Sequence, residues 1–172
     1  LVTQGTVSNH DFGELVAPTL AALANEPDLL VVVSAGGRSI DAIPGPIPRN
    51  ARLASYFPME WLLPKVDVLV TNGGYGTVNQ ALSFGIPIVT AGQTEDKAGV
   101  GARITWSGVG IDLKVNQPSP VAVREAVRSV LDESHYRARA SSLAREFART
   151  DTRARILRAV EQAAKAPAKA VA

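Results

Sequence analysis

The chain has 172 residues, with 18 lysines and arginines against 16 aspartates and glutamates, two histidines and no cysteine. That length fits one domain with a core of its own, and the missing cysteine excludes a disulfide framework, a thiolate metal site and a cysteine nucleophile. A net charge of +2 with no block of like charge offers nucleic acid little to hold, and no apolar run approaches the roughly 20 residues that cross a bilayer.

His10 and His135 lie far apart without metal-ligand spacing, so no metal site is expected. No signal-peptide pattern opens the chain, and a cytoplasmic protein is the default expectation. The first residue, Leu1, falls inside an apparent strand, and the only methionine is Met59. We expect the chain to be half of a larger protein, divided at a domain boundary.

In chain order, strands are expected at Leu1 to Thr3, Leu29 to Ser34, Arg52 to Ser55, Val66 to Val70, Ile86 to Thr90 and Gly110 to Leu113. DLLVVVS and VDVLVT are continuous valine-rich runs, as expected of parallel strands covered on both faces. Phe12, Leu15, Val16 and Leu23 recur at roughly helical spacing, with Pro18 predicting a late start or a bend. Val78, Ala81 and Leu82 continue a helical pattern after a glycine turn. Ser119 and Pro120 read as N-cap and first turn of a helix carrying Val123, Ala126, Val127, Val130 and Leu131 on one stripe. Ala140, Leu143, Ala144 and Phe147 form a second stripe, and Ile156, Leu157 and Val160 begin a third; these arginine-dotted helices are expected to be outer cover. Residues 1–164 are expected to form one domain, and 165–172, low in complexity, a flexible tail.

Alternating strands and helices define an α/β fold, a Rossmann-like doubly wound parallel sheet with helices on both faces. Ligands of such sheets bind beyond the carboxyl ends of the strands, where the strand order reverses. The polar and glycine-rich clusters here follow strands: QGT at 4 to 6, AGGRS at 35 to 39, SYFP at 55 to 58, TNGGYGT at 71 to 77 and AGQTEDK at 91 to 97. TNGGYGT lacks the Gly-Lys-Ser/Thr ending of a P-loop and the spacing of the dinucleotide fingerprint. Its glycines permit close backbone approach, and Gly76 and Thr77 open a helix whose unpaired N–H groups suit an anion. The plainer alternative is a tight strand-to-helix turn with Thr77 as the N-cap.

From Asn72 onward, TNGGYGTVNQALSFGIPIVTAGQTEDKAGVGARI resembles the nucleotide-sugar signature of family 1 glycosyltransferases, enzymes with two Rossmann-like halves in the GT-B fold. SYFPMEWLLPKVD resembles the segment that holds the nucleotide base, and QGT the small turn after the first strand. The resemblance runs from Leu1 to about Val160 and is to the C-terminal, donor-binding half. It implies that Tyr56 stacks on the base and the Phe57 backbone pairs with the base edge, though both aromatics also read as core. It implies that Gly74, Gly76 and Thr77 hold the diphosphate, with Gly5 and Thr6 on its other side.

Asn72 stands where the family usually has a histidine donating to a diphosphate oxygen, and Gln80 where a glutamate accepts from the ribose. Asp96 and Lys97 occupy the positions of an acidic-polar pair that holds the sugar; alternatively, with Glu95, they merely cap and solvate the next helix. Arg38 reads as a solvated loop residue. The resemblance implies an inverting transfer of a hexose from a UDP- or dTDP-sugar to an acceptor hydroxyl, without a metal or other cofactor. The general base and acceptor pocket belong to an N-terminal domain missing here, so no catalytic residue is assigned within this chain. A sugar-nucleotide epimerase of the same architecture and a non-catalytic nucleotide-binding module are the alternatives.

Overall fold

The computed structural model describes residues 1–165. Six parallel strands are connected by helices: β1 Val2–Thr3, α1 Val16–Leu23, β2 Val31–Ser34, β3 Ala51–Ala54, α2 Met59–Leu62, β4 Leu69–Thr71, α3 Tyr75–Ser83, β5 Ile88–Thr90, α4 Lys97–Ser107, β6 Gly110–Asp112, α5 Pro120–Asp132, α6 Ser134–Arg149 and α7 Thr152–Lys165. The strand order is β3-β2-β1-β4-β5-β6, so the order in which strands are added reverses between β1 and β4. All six expected strands form; β3 keeps the expected length but starts one residue earlier, at Ala51, and the other strands are shorter than expected. β5 begins at Ile88 because Pro87 has no N–H for the ladder and contributes only its carbonyl, which accepts from Leu69. Val66 is buried in the core, but it ends a short 3-10 turn at Leu63–Lys65, so β4 starts three residues later.

Two rows of side chains run across the sheet. Val33, Val2, Val70 and Val89 are in register and face a core built with α1 and α5. Leu69 and Ile88 point to the other face, where Val78 and Leu82 of α3, Val100 and Ile104 of α4 and Ala140 of α6 close over them. Burying each of these aliphatic side chains contributes about 1.5–3 kcal/mol against its exposure in the unfolded chain. Helix α1 does start late, placing Pro18 in the first turn where no intrahelical donor is lost. Ser119 caps α5 by accepting from the Ala122 N–H at 3.2 Å, with Pro120 as first helical residue.

Outer cover describes α6 only in part. Ala140 is its buried contact and Phe147 is 36% exposed, while on α7 Ile156, Leu157 and Val160 are each more than half exposed. The third apolar stripe therefore lies uncovered among the described residues. The expected tail boundary at 165 meets the last residue of α7, and residues 166–172 lie outside the described residues. No helix among those described is long and apolar enough to cross a membrane.

An ion-pair network ties α5 to the turn after α1. Arg128 donates to Glu26 at 2.8 Å and to Asp28 at 2.7 Å, and Arg124 donates to the other Glu26 oxygen. Arg128 first, and Arg124 second, hold the Glu26 carboxyl below its ordinary value of 4.5. A depressed carboxylate contributes stability that is present above the unfolded value and is lost as pH falls through the folded one. Glu26→Gln is therefore expected to lower Tm at neutral pH. Its difference from the parent chain should narrow as pH drops through the carboxylate range in a melting series; a pH-independent difference would contradict the network's role.

Candidate functional site

The site lies where the sheet reverses. After β4, Asn72 and Gly73 turn the chain and Gly74 caps α3 in an extended conformation, with no side-chain cap bond. The first intrahelical bond is the Val78 N–H to the Gly74 carbonyl at 3.0 Å, which leaves the N–H groups of Tyr75, Gly76 and Thr77 without a partner among the described residues. Thr77 is thus the third residue of the helix and not its cap. Helix α3 runs away from this end, so its dipole adds positive potential at the three free donors.

Two cavities meet at this turn. One of about 280 Å³ is bounded by Gly5, Thr6, Gly74, Gly76, Thr77 and Lys97, among others. The second, of about 380 Å³, shares Gly5, Thr6, Gly76 and Thr77 and continues to Ser34, Tyr56 and Gln80. A Cβ on Gly76 meets nothing within 4 Å, so any side chain there would project into open space. The structure thereby brings together Gly5, Thr6, Tyr56 and Gly74 from the loops after β1, β3 and β4, Gly76, Thr77 and Gln80 from α3, and Lys97 from the start of α4. Tyr56 is 57% exposed, which is an available aromatic face and not a core position.

Other expected site residues stand elsewhere. Phe57 is half-buried and borders neither cavity. Asp96 and Lys97 part company: Asp96 caps α4 with an exposed side chain, whereas Lys97 is 5% exposed and turns inward. Asn72 borders the smaller cavity, but its amide donates both protons inward, to the Gln4 carbonyl at 2.8 Å and the Ser8 carbonyl at 2.9 Å. Its oxygen accepts from the Gly74 N–H at 3.4 Å. In this conformation Asn72 staples the β1 loop to the β4 loop and has no proton left for a ligand. Arg38 pairs with His10 at 3.2 Å on the surface, as a loop residue.

Several residues that shape the site are not among the expected site residues, although Gln4 and Gly36 fall in the QGT and AGGRS clusters. Asn9, 3% exposed, donates to the carbonyls of Gly5 at 3.0 Å and Ala35 at 3.1 Å, joining the β1 and β2 loops. Gly36 lets those loops touch: at its φ of +62°, a Cβ would lie 1.9 Å from the Gly5 carbonyl oxygen. Gln4 accepts from the Val16 N–H at 3.3 Å and so covers the start of α1. Beneath all of this, the register places Thr3, Thr71 and Thr90 side by side, with Ser34 continuing the row on β2. These four hydroxyl side chains are at most 1% exposed, and those of Ser34, Thr71 and Thr90 have no hydrogen-bond partner among the described residues. Their small size lets the loops settle on the strand ends. Among the described residues, no group of three or more histidine, aspartate or glutamate side chains is placed to hold a metal ion.

A parallel sheet with this strand order, and a helix N-terminus at its reversal point, defines an α/β domain of the doubly wound, Rossmann-like class. The family model described as "Erythromycin biosynthesis protein CIII-like, C-terminal domain" matches residues 18–162, and the chain belongs to this family of glycosyltransferase C-terminal domains. It is 45% identical over 150 residues to the 4'-demethylrebeccamycin synthase of Lentzea aerocolonigenes, covering 87% of this chain and 34% of that protein. It is 41% identical over 156 residues to UDP-glycosyltransferase 2 of Phaeomoniella chlamydospora, covering 88% and 34%. The chain thus spans about 34% of the length of these relatives. The calicheamicin glycosyltransferase CalG4 superposes with a TM-score of 0.79 at 28% identity, over 94% of this chain and 42% of that one. The glycosyltransferase VinC, crystallised in complex with DTDP, gives 0.75 at 26% identity over 94% and 41%. The fold is that of one Rossmann-like half of GT-B.

The open space beside Gly76 generates a direct expectation. Gly76→Val should fold with little change in Tm, since its Cβ meets nothing within 4 Å, and should lose binding of inorganic pyrophosphate in calorimetry. Retained affinity in the folded variant would show that this turn faces no anion.

Proposed function

We propose that this chain is the donor-binding half of an inverting glycosyltransferase and holds a UDP- or dTDP-linked sugar. The observation that carries the reading is the set of free N–H groups on Tyr75, Gly76 and Thr77, opening on connected cavities at the sheet's reversal point. In this reading the diphosphate lies against those donors and the Thr77 hydroxyl, with Gly5 and Thr6 opposite. Gln80 offers an acceptor to the ribose and Tyr56 a face to the base. Lys97 adds the buried positive charge that an uncharged residue at its position would lack.

The proposed reaction is direct displacement. An acceptor hydroxyl attacks the anomeric carbon, the bond from that carbon to the diphosphate oxygen breaks, and the acceptor proton passes to a base. Charge developing on the leaving diphosphate is met by the α3 donors and Lys97, which are already oriented before reaction. The base and acceptor pocket are assigned to an N-terminal domain outside this chain. Two observations support that partner: the chain matches about 34% of its relatives' length, and α7 carries the uncovered stripe of Ile156, Leu157 and Val160. The names of the relatives, and the DTDP in the VinC structure, support a uridine or thymidine nucleotide here. The cytoplasmic location expected from the sequence belongs to the same proposal.

The test uses the purified chain of 172 residues. Calorimetry is expected to show saturable binding of UDP or dTDP, with donor hydrolysis no faster than in buffer and no transfer to added acceptors. Binding of neither nucleotide would end the donor-site reading. Transfer by this chain alone would place the base within it, with His10 on the β1 loop the first residue to substitute.

A further inference from the structure

Lys97 is the one lysine or arginine buried among the described residues, at 5% exposure. Its stem lies against the neighbouring turns: a Cβ on Gly92 would be 3.0 Å from the Lys97 Cδ, and one on Gly73 would be 3.7 Å from its Cβ. Of the three ammonium protons, one goes to the Thr94 hydroxyl at 3.0 Å and one to the Glu95 carboxylate at 2.9 Å. Glu95 also accepts from the Ser8 hydroxyl, at 3.2 and 3.3 Å to its two oxygens. This single carboxylate therefore bridges the β5 loop to the β1 loop.

The bridge stands at the site. Ser8, Glu95 and Lys97 all border the cavity under the α3 N-terminus and also line a third cavity of about 270 Å³. His10, Asp11 and Glu14 border that third cavity, whose carboxylates disfavour a phosphate there. Glu95 is held in place under strain. Its φ is +57°, in the left-handed region unfavourable to a residue with a Cβ, while its side chain is 62% exposed and free to move into solvent. Lys97 first, and Ser8 second, hold its carboxyl below the ordinary value, so it is an anion at neutral pH.

A buried ammonium needs a counter-charge at all times. We propose that Glu95 is an internal stand-in anion: it occupies Lys97 and Ser8 in the free protein, competes with the donor's diphosphate for them, and swings out when the donor binds. Glu95 thereby sets donor affinity without touching the bound donor. This proposal rests on the reading of the α3 turn as the diphosphate site, because only an arriving anion displaces a carboxylate by repulsion while offering Lys97 a replacement.

Calorimetry on the full chain tests it with UDP, inorganic pyrophosphate and uridine. Glu95→Gln is expected to tighten UDP and pyrophosphate about fivefold to thirtyfold, the scale of one charge-assisted hydrogen bond regained, and to leave uridine unchanged. Glu95→Gly, which also relieves the left-handed backbone, should show at least the same gain. The gain should vanish when either change is combined with Lys97→Met. Weaker UDP binding by Glu95→Gln would make Glu95 a donor contact, and unchanged affinity would make the bridge a surface pair; either overturns the proposal. If the parent chain binds UDP and Glu95→Gln shows no gain, only this inference fails. If neither binds UDP or pyrophosphate, the diphosphate reading fails and takes it along.

Discussion

The three unpaired N–H groups at the start of α3 are the constraint around which this domain is arranged. Backbone donors left open in a folded protein need water or a ligand, and these remain open because Gly74, without a side chain, occupies the cap. Keeping them at the reversal point of the sheet requires that loops from neighbouring strands meet there without filling the space. Buried amides do that work. Asn72 ties β4 to the β1 loop, and Asn9 ties the β1 loop to that of β2. Each amide satisfies carbonyls that would otherwise be stranded below the cavity, so replacing either with an apolar residue would leave buried acceptors without donors.

Charge is distributed to the same end. The ion pairs of Glu26 and Asp28 with Arg124 and Arg128 border neither cavity at the α3 turn and join α5 to the turn after α1. At the site, positive potential comes from the helix end and from one buried lysine. Among the described residues, that lysine's carboxylate partner is the exposed, movable Glu95. Such an arrangement suits a ligand that brings negative charge and must also leave.

Much of the fold was legible because it rests on local pattern. Valine-rich runs covered on both faces predict parallel strands, and Pro18 and the Ser119-Pro120 pair predict how two helices begin. The glycine turn after β4 was legible for a similar reason, since its residue types serve one geometry. Strand limits were less so: Val66 belongs to an apolar run, yet a 3-10 turn and not the ladder receives it. What the sequence did not carry depends on register and tertiary contact. The row of Ser34, Thr3, Thr71 and Thr90 comes from four separate segments and appears only when the strands align. The family resemblance implies a diphosphate donor at the position of Asn72, but two carbonyls of the β1 loop take both of its amide protons. Asp96 and Lys97, adjacent in sequence, diverge because one is the cap of α4 and the other its first, inward-facing residue.

The most direct measurement is the response of individual backbone amides to ligand. In nitrogen–proton NMR spectra of the labelled chain, titration with UDP should shift the Tyr75, Gly76 and Thr77 amides most, with inorganic pyrophosphate moving the same three. If UDP saturates the protein while those three signals stay in place and shifts gather elsewhere, the helix end is not the anion site, and the account built on it is wrong.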